Sequence, residues 1–363
     1  MKAGIMTFHR ALNYGAVLQT YALCSFVNEF DVECEVVDYY SEPLESTYKI
    51  FDFKKNNFVS AILKGLFKGA IIIKKRNGFN NFIENNVKIS SKKYSFSQLK
   101  QLNNLYDLFI TGSDQVWSPS CVGFDEAYFL TFADDGKKNS YAASIGCSVI
   151  PENKKAEYKH RLEHYRNISV REEKAIDLLK QVGIKLDMNQ NIDPTLLIDS
   201  NQYSKIAKKP KEQKYVLLFS VNMPVNLIAY AKNLAEKKGL KVIYLNDKPI
   251  MRVKGIEYKS GVSPEEFIGY IKYADYVVTN SFHGTVFSII FHKNFFVEFN
   301  TKNGRNVRAE ELLKYLSIDN KEILGEKSMD DKSVDWNLVD QLINQERNKS
   351  KEYIEKVLKS YDE

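Results

Sequence analysis

What the chain has little of narrows its reading first. Four cysteines, Cys24, Cys34, Cys121 and Cys147, are scattered over 363 residues without C-x-x-C spacing. That speaks against a disulfide scaffold or a thiolate metal cluster and for free thiols. Histidine is nearly as scarce, five in all, and the one close pair, His160 and His164, sits in a charged helical stretch that reads as a solvated face, so no metal is expected. No apolar run reaches the roughly 20 residues needed to span a bilayer. Charge of one sign is barely in excess: 52 basic against 46 acidic residues give +6. That suits anionic small substrates or a membrane surface, is too weak to argue nucleic acid, and no arginine-rich tract interleaved with aromatics supplies that argument. The first residues, MKAGIMTFHRALNYG, run straight into a strand-like segment with no secretory pattern, so a cytoplasmic protein is expected.

What is present is globular and long. Hydrophobic residues make up 44% and charged ones 27%, and the length predicts two domains. Residues 2–8 read as a strand, 9–15 as a turn, the stretch from Ala16 as a helix and 33–39 as the next strand: a β-α-β unit with the usual right-handed crossover. Residues 58–76, FVSAILKGLFKGAIIIKKR, form a basic amphipathic helix. Either it packs on its own domain with lysines in water, or it rests on a membrane whose anionic lipids attract them.

Polar loops then recur at strand ends: Thr111-Gly112-Ser113-Asp114 with nearby Trp117, Ser144-Ile145-Gly146, Arg171, and Asp193-Pro194-Thr195. This repeated placement marks Arg171 as an anion ligand, since its fork of donors suits carboxylate or phosphate. A lysine-rich run at 205–214, KIAKKPKEQK, reads as a linker. The expected boundaries are therefore a first domain at 1–204, a second at 215–340 and a closing helix at 341–363.

The second α/β series centres on YVVTNSFHGTVFSIIF, residues 276–291: a short apolar strand, a polar turn, and a helix opening at His283-Gly284. In an open α/β sheet such a turn lies at the carboxyl edge, where helix N-termini seat anions. His283 adds a group able to give or take a proton near neutral pH; the plainer reading is that it caps the helix. A basic turn carrying Arg305 and Arg308 follows the next strand.

Six motifs in order give the chain a family resemblance: Asn13-Tyr14-Gly15-Ala16 with Gln19, Gly112-Ser113-Asp114-Gln115-Val116-Trp117, Tyr141-Ala142-Ala143-Ser144-Ile145-Gly146, Val170-Arg171-Glu172-Glu173, Asp193-Pro194, and Thr279-Asn280-Ser281-Phe282-His283-Gly284. With them the chain resembles the polysaccharide pyruvyl transferase family. The resemblance implies two Rossmann-like domains facing across a cleft, as in B-type glycosyltransferases. It also implies transfer of the enolpyruvyl group of phosphoenolpyruvate, a co-substrate rather than a cofactor, to two hydroxyls of one sugar, and the acceptor expected is a sugar of a surface polysaccharide or of its lipid-linked precursor at the membrane face.

The same resemblance implies His283 as the catalytic proton-transfer group. Arg171, Ser281, Phe282, Gly284, Arg305 and Arg308 would stand on the donor side, and Asn13, Tyr14, Gly15, Ser113, Asp114, Trp117 and Ser144 on the acceptor side. One position departs from the pattern: the family carries an arginine two residues before the histidine, where this chain has Ser281. Arg305 or Arg308 is expected to replace that charge. Two alternatives stay open, a B-type glycosyltransferase using a nucleotide sugar and a non-catalytic sugar- or nucleotide-binding protein.

Overall fold

The computed structural model describes residues 1–47, 58–221, 226–247, 252–299, 307–319, 321–323 and 333–361, at 58–68 and 307 by backbone alone. The chain divides into two compact units. One comprises residues 1–48, 83–198 and 344–363, the other 49–82 and 199–343.

In the first unit, β1 (Lys2–Met6), α1 (Tyr14–Val27), β2 (Glu33–Tyr39) and the short α2 (Glu42–Ser46) are followed by α3 (Phe58–Asn86), which enters this unit at Ile83. Next come β3 (Ile89–Tyr94), β4 (Leu108–Thr111), β5 (Lys138–Ser140), α4 (Glu152–Leu162), β6 (Ile168–Val170), α5 (Glu173–Gln181) and β7 (Met188–Gln190). The sheet order is β3-β2-β1-β4-β5, all parallel. A β6-β7 pair continues it through single bridges such as Ala143 to Val170. Strands covered on both faces need unbroken apolar runs, and β4, LFIT, is buried throughout.

The second unit repeats the plan. It contains α6 (Ser200–Ile206), β8 (Tyr215–Phe219), α7 (Leu227–Lys238), β9 (Lys241–Leu245), β10 (Ile256–Lys259), α8 (Pro264–Lys272), β11 (Tyr276–Thr279), α9 (Phe282–Ile290), β12 (Asn294–Val297) and α10 (Val307–Tyr315), and then α11 (Trp336–Lys359), which joins the first unit from Asn344. Its sheet order is β10-β9-β8-β11-β12, again parallel. Each sheet runs outward from its first strand and then restarts on that strand's other side. The switch points, where such folds bind ligands, therefore lie between β1 and β4 and between β8 and β11. The two Rossmann-like units expected from sequence are thus present.

Their boundaries differ from those drawn on the sequence in three places. The amphipathic helix up to Phe82 belongs with the second unit, not the first. Lys75 pairs with Asp247 at 2.7 Å, Lys74 donates to the Ser260 carbonyl at 3.3 Å, and a Cβ added to Gly78 would stand 2.8 Å from Ser263 Cβ. Lys64 and Lys68 fall outside the described side chains.

The lysine-rich run is also more than a linker. Residues 199–214 belong to the second unit, and the Lys208 carbonyl would lie 1.8 Å from a Cβ on Gly269, so α8 admits this strand of backbone only because Gly269 has no side chain. The closing helix, finally, belongs to the first unit. Tyr353 donates to Ser140 O at 2.7 Å, and Arg347 Nε and Nη2 donate to Leu196 O and Ile198 O. Among the described residues no helix is long and apolar enough to cross a membrane.

Candidate active site

At the switch point of the second unit the loop after β11 is built around Thr279. Its hydroxyl donates to Phe219 O at 2.7 Å and accepts from Ser281 N at 3.0 Å, so the end of β11 is locked to the end of β8. Ser281 caps α9, its Oγ accepting from Gly284 N at 3.3 Å, while Thr285 Oγ1 donates back to Ser281 O. Gly284 is required for this closeness: a Cβ there would lie 2.5 Å from Thr279 Oγ1.

Because Ser281 is the cap, the capping role that competed for His283 is already filled. His283 and Phe282 occupy the first turn and are partly exposed, whereas Ser281 and Gly284 are buried. The guanidinium of Arg308 lies 5.1 Å from the centre of the Phe282 ring, bringing a cation to the start of α9. Arg305 lies outside the described residues.

Two further side chains meet this edge. Asn280, 3% exposed, accepts from Val221 N at 3.0 Å through Oδ1, across the gap between β11 and β8. Glu298, just beyond β12, donates its backbone N–H to Thr279 O and accepts from Asn226 N at 2.8 Å.

The switch point of the first unit is equally polar. Thr7, past the end of β1, accepts from Gln19 Nε2 at 2.8 Å and donates to Ser113 O at 3.3 Å. Gln19 Oε1 and the Ser113 hydroxyl are buried without a hydrogen-bond partner among the described residues. Asn13 caps α1, accepting from Gly15 N and Ala16 N, and is exposed, whereas Tyr14 and Gly15 are buried in the first turn.

Asp114 follows β4 with φ of +72°, a left-handed conformation that a non-glycine residue holds only when its surroundings enforce it. Enforcement comes from Ser144 N donating to Asp114 O and from Gln115 N donating to Oδ1. Ser144 in turn donates to Glu172 Oε1 at 2.8 Å.

Two expected site residues have other roles here. Arg171, 7% exposed, gives Nε to Glu172 at 3.0 Å and Nη1 to Asp193 at 2.7 Å. Burial opposes its charge, but the carboxylates of Glu172, Asp193 and Asp114 outweigh that and hold its pKa above the ordinary arginine value. Two donors of the fork predicted for an anionic ligand, Nε and Nη1, are thus held by the protein's own carboxylates, which gives Arg171 a structural role. Trp117, predicted to face a sugar, is wholly buried. Its indole donates to Tyr128 O and stacks on Phe129 at 6.0 Å, because the apolar cluster beneath the loop offers more contact than the loop's surface.

Sequence reasoning named Asn280, Glu172 and Asp193 only as parts of motifs and gave them no role, since their partners Val221, Ser144 and Arg171 lie 59, 28 and 22 positions away and leave no local pattern. His9 was read as part of a turn. Its Nδ1 faces Thr7 O and its Nε2 faces Asp38, both at 3.1 Å, so the ring is fully engaged.

The family model described as polysaccharide pyruvyl transferase matches residues 13–297. No curated protein matches. Among solved structures, UDP-N-acetylglucosamine 2-epimerase from Rickettsia bellii is similar at 10% identity and a TM-score of 0.48, with 99% of this chain and 95% of that one covered. The same enzyme from Methanocaldococcus jannaschii is similar at 11% identity and 0.47, covering 95% and 92%. E. coli ADP-heptose lps heptosyltransferase II is similar at 11% identity and 0.39, covering 95% and 99%. These likenesses lie below the level at which a shared ligand or reaction follows.

Proposed function

The chain belongs to the polysaccharide pyruvyl transferase family, and on that footing we propose that it transfers the enolpyruvyl group of phosphoenolpyruvate to two hydroxyls of one sugar, releasing phosphate and leaving a cyclic pyruvate ketal. The acceptor is a sugar of a surface polysaccharide or of its lipid-linked precursor, met at the cytoplasmic face of the membrane.

The chemistry sets the requirements. Protonating the methylene carbon of the donor makes the enol carbon electrophilic. A sugar hydroxyl then adds to that carbon and loses its proton. The carbon–oxygen bond to phosphate breaks, and the second hydroxyl adds and loses its proton in turn. A group that gives and takes protons is needed beside the donor, together with positive potential for the donor's phosphate and carboxylate.

One observation carries the reading: His283 stands on the partly exposed first turn of α9, at the switch point, while Ser281 does the capping. His283 is the proposed proton-transfer group. The donor set is Ser281, Phe282 and Gly284 at the helix start, where the dipole favours an anion, with Arg308 restoring the charge that the family has two residues before the histidine. Arg171 leaves this set because its Nε and Nη1 are held by Glu172 and Asp193. On the acceptor side Asn13, Asp114 and the neighbouring Ser113 and Ser144 are proposed to order the sugar, with Trp117 beneath them as support. The test is direct: phosphate release from phosphoenolpyruvate that depends on a sugar diol, with the product gaining one pyruvate less one water. Turnover only with a nucleotide sugar would replace the proposal by the glycosyltransferase reading.

A further inference from the structure

The side chain of Asn280 spans the switch point of the second unit and is only half used. Its Oδ1 accepts the Val221 backbone N–H at 3.0 Å. Because a backbone N–H can only donate, this contact fixes which end of the amide is oxygen and which is nitrogen. Nδ2, with two protons to give, has no hydrogen-bond partner among the described residues, although only 3% of the residue is exposed. A buried donor left unmade carries a cost that native folds seldom keep without a use.

Its surroundings indicate the use. Asn280 directly precedes the cap of α9, whose first turn is oriented to favour negative charge. It lies between β8 and β11, where the sheet order restarts. A donor of fixed direction and a helix N-terminus at one sheet edge together call for an anionic oxygen.

We propose that Asn280 is a specificity-determining residue of the donor site, its Nδ2 donating to an anionic oxygen, carboxylate or phosphate, of the donor substrate. The inference rests on the donor-side assignment of this loop and goes beyond it by naming a neutral ligand next to the position where the family carries an arginine. An amide reads an oxygen by direction without adding charge, so the site distinguishes donors by where their oxygens lie as well as by how many charges they bear. The Val221 contact matters for this, because it stops the amide from rotating and so gives Nδ2 one direction only.

The experiment measures binding to the full-length protein by calorimetry, with phosphoenolpyruvate, inorganic phosphate, pyruvate and a uridine diphosphate as separate probes. Wild type is compared with Asn280→Asp, which keeps an oxygen for Val221, and with Asn280→Ala. Losing one donor to a charged oxygen is expected to weaken phosphoenolpyruvate binding by about ten- to a hundredfold in both variants. In Asn280→Asp part of the loss should return as pH is lowered and the new carboxyl gains a proton, a signature that a purely structural role would not produce. Weakened phosphate binding would assign the oxygen to the phosphate, and weakened pyruvate binding to the carboxylate.

If wild type binds the uridine diphosphate and not phosphoenolpyruvate, and the variants lose that binding, the inference stands while the pyruvyl donor reading falls. Unchanged affinity in both variants for every probe that wild type binds would overturn the inference, and so would wild type binding none of them. A crystal structure of wild type with phosphoenolpyruvate needs no variant: Nδ2 within hydrogen-bond distance of a ligand oxygen supports the inference, and Nδ2 bonded only to protein or water overturns it.

Discussion

His283 combines three properties that separate a working histidine from a packing one: it is partly exposed, it sits on the first turn of α9, and it is relieved of capping by Ser281. Replacing it by alanine is expected to lower turnover by about 10²- to 10⁴-fold while the thermal midpoint stays put. A variant with near-normal turnover would remove it from the chemistry. Arg171 should behave in the opposite way. Its guanidinium sits among Glu172, Asp193 and Asp114, and removing one partner of a buried ionic cluster strands the others, at a cost of about 3–5 kcal/mol. Arg171→Ala should therefore lose stability in a denaturant titration before any donor affinity can be compared; full stability with selectively lost donor binding would return it to the ligand role. The difference between these two residues was only half legible. That each follows a strand is written in the local pattern. That Arg171 meets a carboxylate 22 positions away is not, because no helical or strand period carries that distance.

At the scale of elements, strand-turn-helix units were readable because each is set by neighbours in sequence: the apolar run of β11, the serine cap and the glycine two positions into α9. What lay beyond reading was the packing that makes individual elements tolerable, such as the backbone of Lys208 against Gly269. The end of β2 and the loop after β1 offer a case in which charge joins elements. Asp38 takes Nε and Nη2 of Arg10 at 2.6 and 2.8 Å and faces His9 Nε2 at 3.1 Å, with Glu45 of α2 3.5 Å from Arg10. Burial alone would raise the Asp38 pKa, but His9 and Arg10 outweigh it and hold the carboxyl below its usual value. A depressed carboxylate contributes stability that is complete above its unfolded pKa of about 3.9 and lost as pH falls through the folded value. The stability gap between wild type and Asp38→Asn should therefore be widest near neutral pH and close below about pH 4. A gap that stays constant down to pH 2 would contradict this account of the cluster.

On the scale of the whole molecule, two units were legible from the repeated alternation of strand and helix, but their membership was not. Composition located a boundary at the lysine-rich run, whereas contacts assign that run to the second unit and bring residues 344–363 back to the first. Returning helices give no sign in composition of where they dock. The consequence is measurable. A fragment of residues 1–204 lacks Tyr353, Ile354 and Val357, which are buried in the intact chain, and the donors that meet Ser140, Leu196 and Ile198. It should show no cooperative unfolding; a sharp two-state transition in that fragment would restore the simpler boundary. The central claim, a pyruvyl transfer served by His283, is tested most directly by incubating the purified chain with phosphoenolpyruvate and a panel of sugar diols, following phosphate release and product mass together. The account predicts equal amounts of phosphate and pyruvate ketal with wild type and a loss of both in His283→Ala. Phosphate without ketal, or ketal formed equally well by the variant, would contradict it.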